Sequence, residues 1–99
     1  MSRICAEIDT FYGDFRAEFD FSIDGESISG TYDFIGYHGN FSGMMTGEDS
    51  FVVNGVVDSY AGEIDFSITG RYDGRNVTGE GITGNKGRFS VRGFPIGEL

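Results

Sequence analysis

The side chains of this chain that could do chemistry are 16 carboxylates, one histidine and one cysteine. The carboxylates recur at a spacing of two, as Glu7/Asp9, Glu18/Asp20 and Glu63/Asp65. General acid–base catalysis needs two carboxyls held in unlike environments inside a cleft. A regular two-residue spacing instead gives every carboxylate the same outward environment, so the chain reads as a non-enzyme. Asp20-Phe21-Ser22-Ile23-Asp24-Gly25 resembles the opening of a calcium loop, but the twelfth position of that loop is Thr31 where a bidentate Glu belongs. Gly84-Asn85-Lys86-Gly87 lacks the Gly-Lys-Ser/Thr of a phosphate loop. His38 sits in a glycine-flanked turn and Cys5 lies far from it in sequence, which assigns neither to a metal nor to a nucleophile–base pair. No cofactor and no metal are expected.

An array of carboxylates can still work as a surface. Residues two apart on a strand stand about 6–7 Å apart and neighbouring strands about 4.8 Å. Glu7, Asp9, Glu18, Asp20 and Asp33 would share one outward side if the first three strands pair in order. Such an array could imitate the phosphate rows of a nucleic acid and occupy the groove of a basic protein. Asp14, Asp24, Glu63 and Asp65 extend the expected partner-binding set, and the loop tyrosines Tyr12, Tyr37, Tyr60 and Tyr72 are secondary contacts.

The charge is unevenly placed. Residues 1–65 hold 13 acids against two arginines, and residues 66–99 hold three acids against five bases, for a net −9. Direct binding to nucleic acid is disfavoured, whereas long-range steering favours a basic partner. One cysteine forms no internal disulfide, no apolar leader precedes the first strand and no apolar run reaches about 18 residues. The expected setting is cytoplasmic, with no membrane contact. Asn40-Phe41-Ser42 and Asn76-Val77-Thr78 are then chance matches to a glycosylation acceptor.

These residues must be positioned by strands. Phe15 to Ile35 carries apolar residues at every second position on both sides of Asp24-Gly25-Glu26, the pattern of a long β-hairpin. Phe15, Ala17, Phe19, Phe21, Ile23, Ile28, Gly30, Tyr32 and Phe34 fall on one side. The other strands are expected over residues 3–11, 40–46, 63–69, 76–83 and 88–94, with turns at Tyr12-Gly13-Asp14, Gly36 to Gly39 and Asp73-Gly74. Phe51 to Val57 reads either as a short hairpin turning at Asn54-Gly55 or as one strand with a bulge; the hairpin is preferred. Residues 95–99 are expected to be a loose tail of one domain spanning 1–99. No segment has a helical period.

A strand-then-glycine unit recurs, as Phe21-Ser22-Ile23-Asp24-Gly25, Phe51 to Gly55, Phe66 to Gly70 and Phe89 to Gly93. Its spacing is uneven, which excludes a fixed-period solenoid. Ten Phe and 17 Gly in 99 residues fit an aromatic core with many close turns. About eight short strands in meander order, whose edges must be managed, predict a closed or nearly closed small barrel; a two-sheet sandwich is the alternative. The leading functional expectation is a non-enzymatic inhibitor that engages a basic, nucleic-acid-handling protein, of the nucleic-acid-mimic kind and comparable in size and charge to phage anti-defence proteins. The alternatives are a lipocalin-like small-molecule barrel, with its pocket lined by phenylalanines and Tyr32, and a structural subunit or homo-oligomer pairing through an open sheet edge.

Overall fold

A computed structural model describes residues 2–10, 13–34, 36–59, 62–84 and 87–95. The described residues form eight strands: β1 (Ser2–Thr10), β2 (Gly13–Asp24), β3 (Ser27–Phe34), β4 (Tyr37–Met45), β5 (Ser50–Ser59), β6 (Gly62–Tyr72), β7 (Val77–Thr83) and β8 (Gly87–Pro95). Each pairs antiparallel with the next, and β8 returns to pair with β1, so the sheet closes into a barrel. Closure joins Ile4–Thr10 to Phe89–Pro95. No free edge remains among these strands, so assembly through an open edge, one of the sequence-based alternatives, loses its surface.

Two-residue alternation sorts the side chains as the sequence predicts. Ile4, Ala6 and Ile8 of β1, Ala17 and Phe21 of β2, and Ile28 and Tyr32 of β3 are buried inside, joined by Phe41, Phe51, Val53, Ile68, Val77 and Val91 from the other strands. Among the described residues no charged or polar side chain is buried in this core. Aromatic pairs meet edge to face, the favoured geometry of their quadrupoles: Phe21 with Tyr72 at 5.3 Å, Tyr32 with Phe66 at 5.6 Å and Phe19 with Phe41 at 5.7 Å.

Several boundaries move. The β2–β3 turn is closed by Asp24 and Ser27, which puts Gly25 and Glu26 at its tip, within the expected Asp24-Gly25-Glu26, and Asp24 ends the strand. Gly25 has φ +64, so the glycine takes the first tip position that a side chain would strain. β4 begins at Tyr37, not Asn40, and pairs with β3 from Phe34↔Tyr37 onward. β1 is described to Thr10, and its expected last residue, Phe11, lies outside the described residues. Pro95 belongs to β8 and pairs with Ile4, so the expected tail does not start there; residues 96–99 lie outside the described residues.

The preferred hairpin at Asn54-Gly55 is overturned. β5 runs unbroken through both residues, and its registers with β4 (Phe41↔Gly55) and β6 (Gly55↔Phe66) carry no extra residue. It is therefore not a bulge either. Gly55 is present for space: a Cβ there would stand 2.5 Å from Phe66 Cζ. The same device recurs. Gly30 faces Phe41, Gly39 faces Tyr32 and Gly81 faces Phe89, each directly across the ladder, and in each case a Cβ would collide with the ring. An aromatic ring laid on a cross-strand glycine shields the bare backbone and lets the strand bend, as tight closure demands.

At Gly30 a Cβ would also meet the Asp20 carbonyl, and at Gly43 every near atom is backbone, with Val53 Cα at 2.6 Å, so no side chain can move aside. Gly43→Ala is expected to lower the unfolding free energy by about 1–3 kcal/mol, the usual cost of overpacking, while Ser42→Ala on the outer wall changes it by less than about 0.5 kcal/mol. Urea melts of the two variants check this difference.

Candidate functional site

The outer wall carries the expected acidic set, but not as one continuous face. Glu7 and Asp9 on β1, Asp14, Glu18, Asp20 and Asp24 on β2 and Asp33 on β3 do share the wall of three adjacent strands. Glu63 and Asp65 lie on β6, opposite Asp58 and Val56 of β5, on the far side of the barrel. Asp24 sits beside the β2–β3 turn, at the other end of its strand from Asp14.

Arginines also break the array. The Arg3 guanidinium grips Asp20 with two bonds, Nε to Oδ1 at 2.6 Å and Nη2 to Oδ2 at 3.2 Å, and this holds the Asp20 carboxyl below the usual carboxylate range. Arg92 reaches Glu7 at 3.5 Å from the neighbouring β8. His38 Nδ1 lies 3.7 Å from Asp33, on β4 rather than in a turn. Asp9 and Asp14 face each other across β1 and β2; the hydrogen bond and repulsion from Asp9 push the Asp14 carboxyl above its ordinary value. Between these pairs a groove of about 400 Å³ runs over β1 to β4, with Glu18 and Asp33 directly opposed in it. Cys5 is half-buried on the same wall, opposite Glu18 and Phe94.

The tyrosines divide. Tyr12 and Tyr60 lie outside the described residues. Tyr37 is half-buried at the start of β4. Tyr72 is the last residue of β6, not a loop residue: its ring packs inward on Phe21 and its hydroxyl donates to the Gly74 carbonyl at 3.2 Å. Among the described residues no cluster of three or more His, Cys, Asp or Glu side chains is placed to hold a metal ion.

The interior holds space that the sequence alone does not locate. The upper end of the barrel is the one at Thr10 and Gly13. Below its rim lies an apolar chamber of about 130 Å³, walled by Ile8, Ala17, Tyr32, Phe34, Phe66 and Phe89, with Thr10 and Thr83 nearest the rim. A second apolar chamber of about 60 Å³ occupies the lower end, among Ile4, Ile28, Phe51, Val53 and Val91. Phe19 and Ile68 border both. Of the rings that wall the upper chamber, Tyr32, Phe66 and Phe89 lie over glycines of neighbouring strands, and Tyr32 meets Phe66 edge to face. Among its lining residues the Tyr32 hydroxyl donates to the Val56 carbonyl and the Thr10 hydroxyl to the Gly13 carbonyl at 2.9 Å. Burial first, and the Asp58 charge second, push the Tyr32 hydroxyl above its ordinary value, so it stays protonated and donating. Alternation marks the phenylalanines and Tyr32 as inward; the missed members are Thr10 and Thr83, whose signal is their place on the same inward register.

No protein-family model matches this chain, and no curated protein is significantly similar to it. Two solved structures share its fold. One is a redesigned beta barrel, mFAP1, bound to DFHBI, with 11% identity over 94% of this chain and 92% of that one and a TM-score of 0.77. The other is a redesigned beta barrel, b11L5F_LGL, with 10% identity over 94% and 88% of the two chains and a TM-score of 0.76. At that identity the likeness concerns the fold.

The two kinds of carboxylate give opposite pH responses. Asp20, lowered by Arg3, and Asp73, lowered by the Asn76 and Arg75 amides that it accepts at 2.8 Å, contribute stability above the ordinary carboxylate pKa, lost as pH falls through their folded values. Asp14 is raised, so it favours the fold at low pH and costs stability once pH rises through its folded value. Asp14→Asn is therefore expected to raise Tm near pH 7, with the gain vanishing near pH 3, whereas Asp73→Ala lowers Tm near pH 7 and lowers it less near pH 3. Calorimetric melts at the two pH values decide it.

Proposed function

We propose that the protein is a small-molecule-binding barrel whose upper chamber takes a compact, uncharged apolar ligand. The observation that carries this reading is the chamber itself: about 130 Å³ of space with apolar walls and Thr10 and Thr83 near the rim. A dry cavity of about 150 Å³ with aliphatic and aromatic walls is enough to hold benzene. Native interiors otherwise pack to crystal-like density, so such a space costs dispersion contacts that a ligand would restore. The solved barrel mFAP1, similar in fold, is described as bound to the small molecule DFHBI, which agrees with this use of the architecture. On this reading the net charge of −9 keeps the barrel soluble.

The test is titration of toluene into the protein by NMR and by thermal melts. Binding with a Kd of about 1 mM or tighter, roughly −4 kcal/mol, and a Tm that climbs with toluene concentration are expected. Ala17 borders the upper chamber and not the lower one. Ala17→Leu places its added carbons in the empty space and should weaken toluene binding at least about tenfold without lowering Tm. A wild-type Tm and spectrum indifferent to toluene would rule the reading out.

A second reading is favoured by the groove on β1 to β4, where Glu18 and Asp33 face each other: the acidic wall engages and inhibits a basic, nucleic-acid-handling protein. Such binding weakens steeply with salt. Glu18→Lys with Asp33→Lys should abolish capture of that partner while leaving toluene binding intact. Capture unchanged by the double variant, or by a rise from low to high salt, would exclude this surface.

A further inference from the structure

We propose that Phe19 sets the size of the ligand, confining it to a single ring by dividing the barrel interior into two chambers. The inference rests on the interior-binding reading above and adds its selectivity. Phe19 sits near the middle of β2, paired with Ile4 on one side and Tyr32 on the other, so its ring projects into the barrel at mid-height. It borders the upper chamber of about 130 Å³ and the lower one of about 60 Å³. It is inward-facing yet only half-buried, as expected of a ring that looks onto open space on both sides. Its edge-to-face contact with Phe41, 5.7 Å between centroids and 87° between planes, holds the ring in place between the two chambers it borders. Phe41 in turn lies on Gly30, so the brace is anchored to the wall.

Ile68 is the other shared lining residue, but it is almost wholly buried against the core, whereas Phe19 offers the larger and more exposed surface. Removing the Phe19 ring would join the chambers into one continuous apolar space and add the ring's own volume to it. The chemical class that fits the divided interior is a neutral monocyclic compound. The class that fits the joined interior is a bicyclic or similarly long one. Apolar pockets discriminate by size with ratios of roughly 10 to 200 per misfit increment, so the expected effects are measurable.

The experiment uses the full chain as wild type, Phe19→Ala and Phe19→Leu, with toluene and 1-methylnaphthalene as probes in calorimetric or NMR titrations. Wild type is expected to bind toluene at least about tenfold tighter than 1-methylnaphthalene. Phe19→Ala is expected to gain at least about tenfold for 1-methylnaphthalene, a step of about 1.4 kcal/mol, and to change toluene binding by less than about threefold. Phe19→Leu, which keeps most of the apolar bulk, covers the case in which the alanine variant does not fold; it should gain in the same direction by a smaller factor. If wild type binds toluene but neither folded variant gains for the bicycle, Phe19 is not the divider and the interior reading stands alone. If wild type binds toluene and 1-methylnaphthalene equally, the division does not operate. If neither probe binds any of the three proteins, the interior reading falls, and this inference with it.

Discussion

Four aromatic rings resting on four glycines directly across the ladder are the interaction on which the barrel depends. A sheet of eight strands closes only if its strands bend. Bending exposes backbone wherever a glycine relieves the crowding. Phe41 over Gly30, Tyr32 over Gly39, Phe66 over Gly55 and Phe89 over Gly81 cover that backbone with apolar surface. The rings of Tyr32, Phe66 and Phe89 thus lie along the wall, Phe21 meets Tyr72 and Tyr32 meets Phe66 across the interior, and two apolar chambers remain between them. Closure, packing and the candidate site share one cause.

The outer wall follows a separate logic. Its carboxylates are spaced by the strand pleat, and like charges set across from each other, such as Asp9 with Asp14 or Glu18 with Asp33, oppose folding. Arg3 and Arg92 offset part of that cost by bridging strands to Asp20 and Glu7. The fold thus tolerates its acidic surface through a few cross-strand pairs while its stability comes from the interior. This also explains why the acidic residues do not gather into a single site: they alternate with core residues on β1 to β3 and again on β6.

Much of this was legible in the residues. Alternation in Phe15 to Phe34 places each side chain on its observed face, and eight strands in meander order lead to a closed barrel. Two things were not legible, for physical reasons. Asn54-Gly55 carries the signature of a tight turn, but the pairing of β5 with both neighbours overrides it, because a glycine needed for ring space looks the same in sequence as one needed for positive φ. The chambers were hidden because alternation says which side chains point inward and not whether they meet at the axis. That depends on rotamers selected by cross-strand partners, as when Phe66 lies over Gly55 and leaves Thr83 and Ala17 facing space.

The most direct measurement of the central claim is a proton NMR assignment of the glycine α-protons with their nuclear Overhauser contacts. The account predicts that the α-protons of Gly30, Gly39, Gly55 and Gly81 are shifted upfield by the ring currents of Phe41, Tyr32, Phe66 and Phe89, each with strong contacts to its own cross-strand ring. Unshifted glycine α-protons, together with contacts among the Phe34, Phe66 and Phe89 rings across the barrel axis, would contradict it, since rings meeting there leave neither the braces nor the chamber.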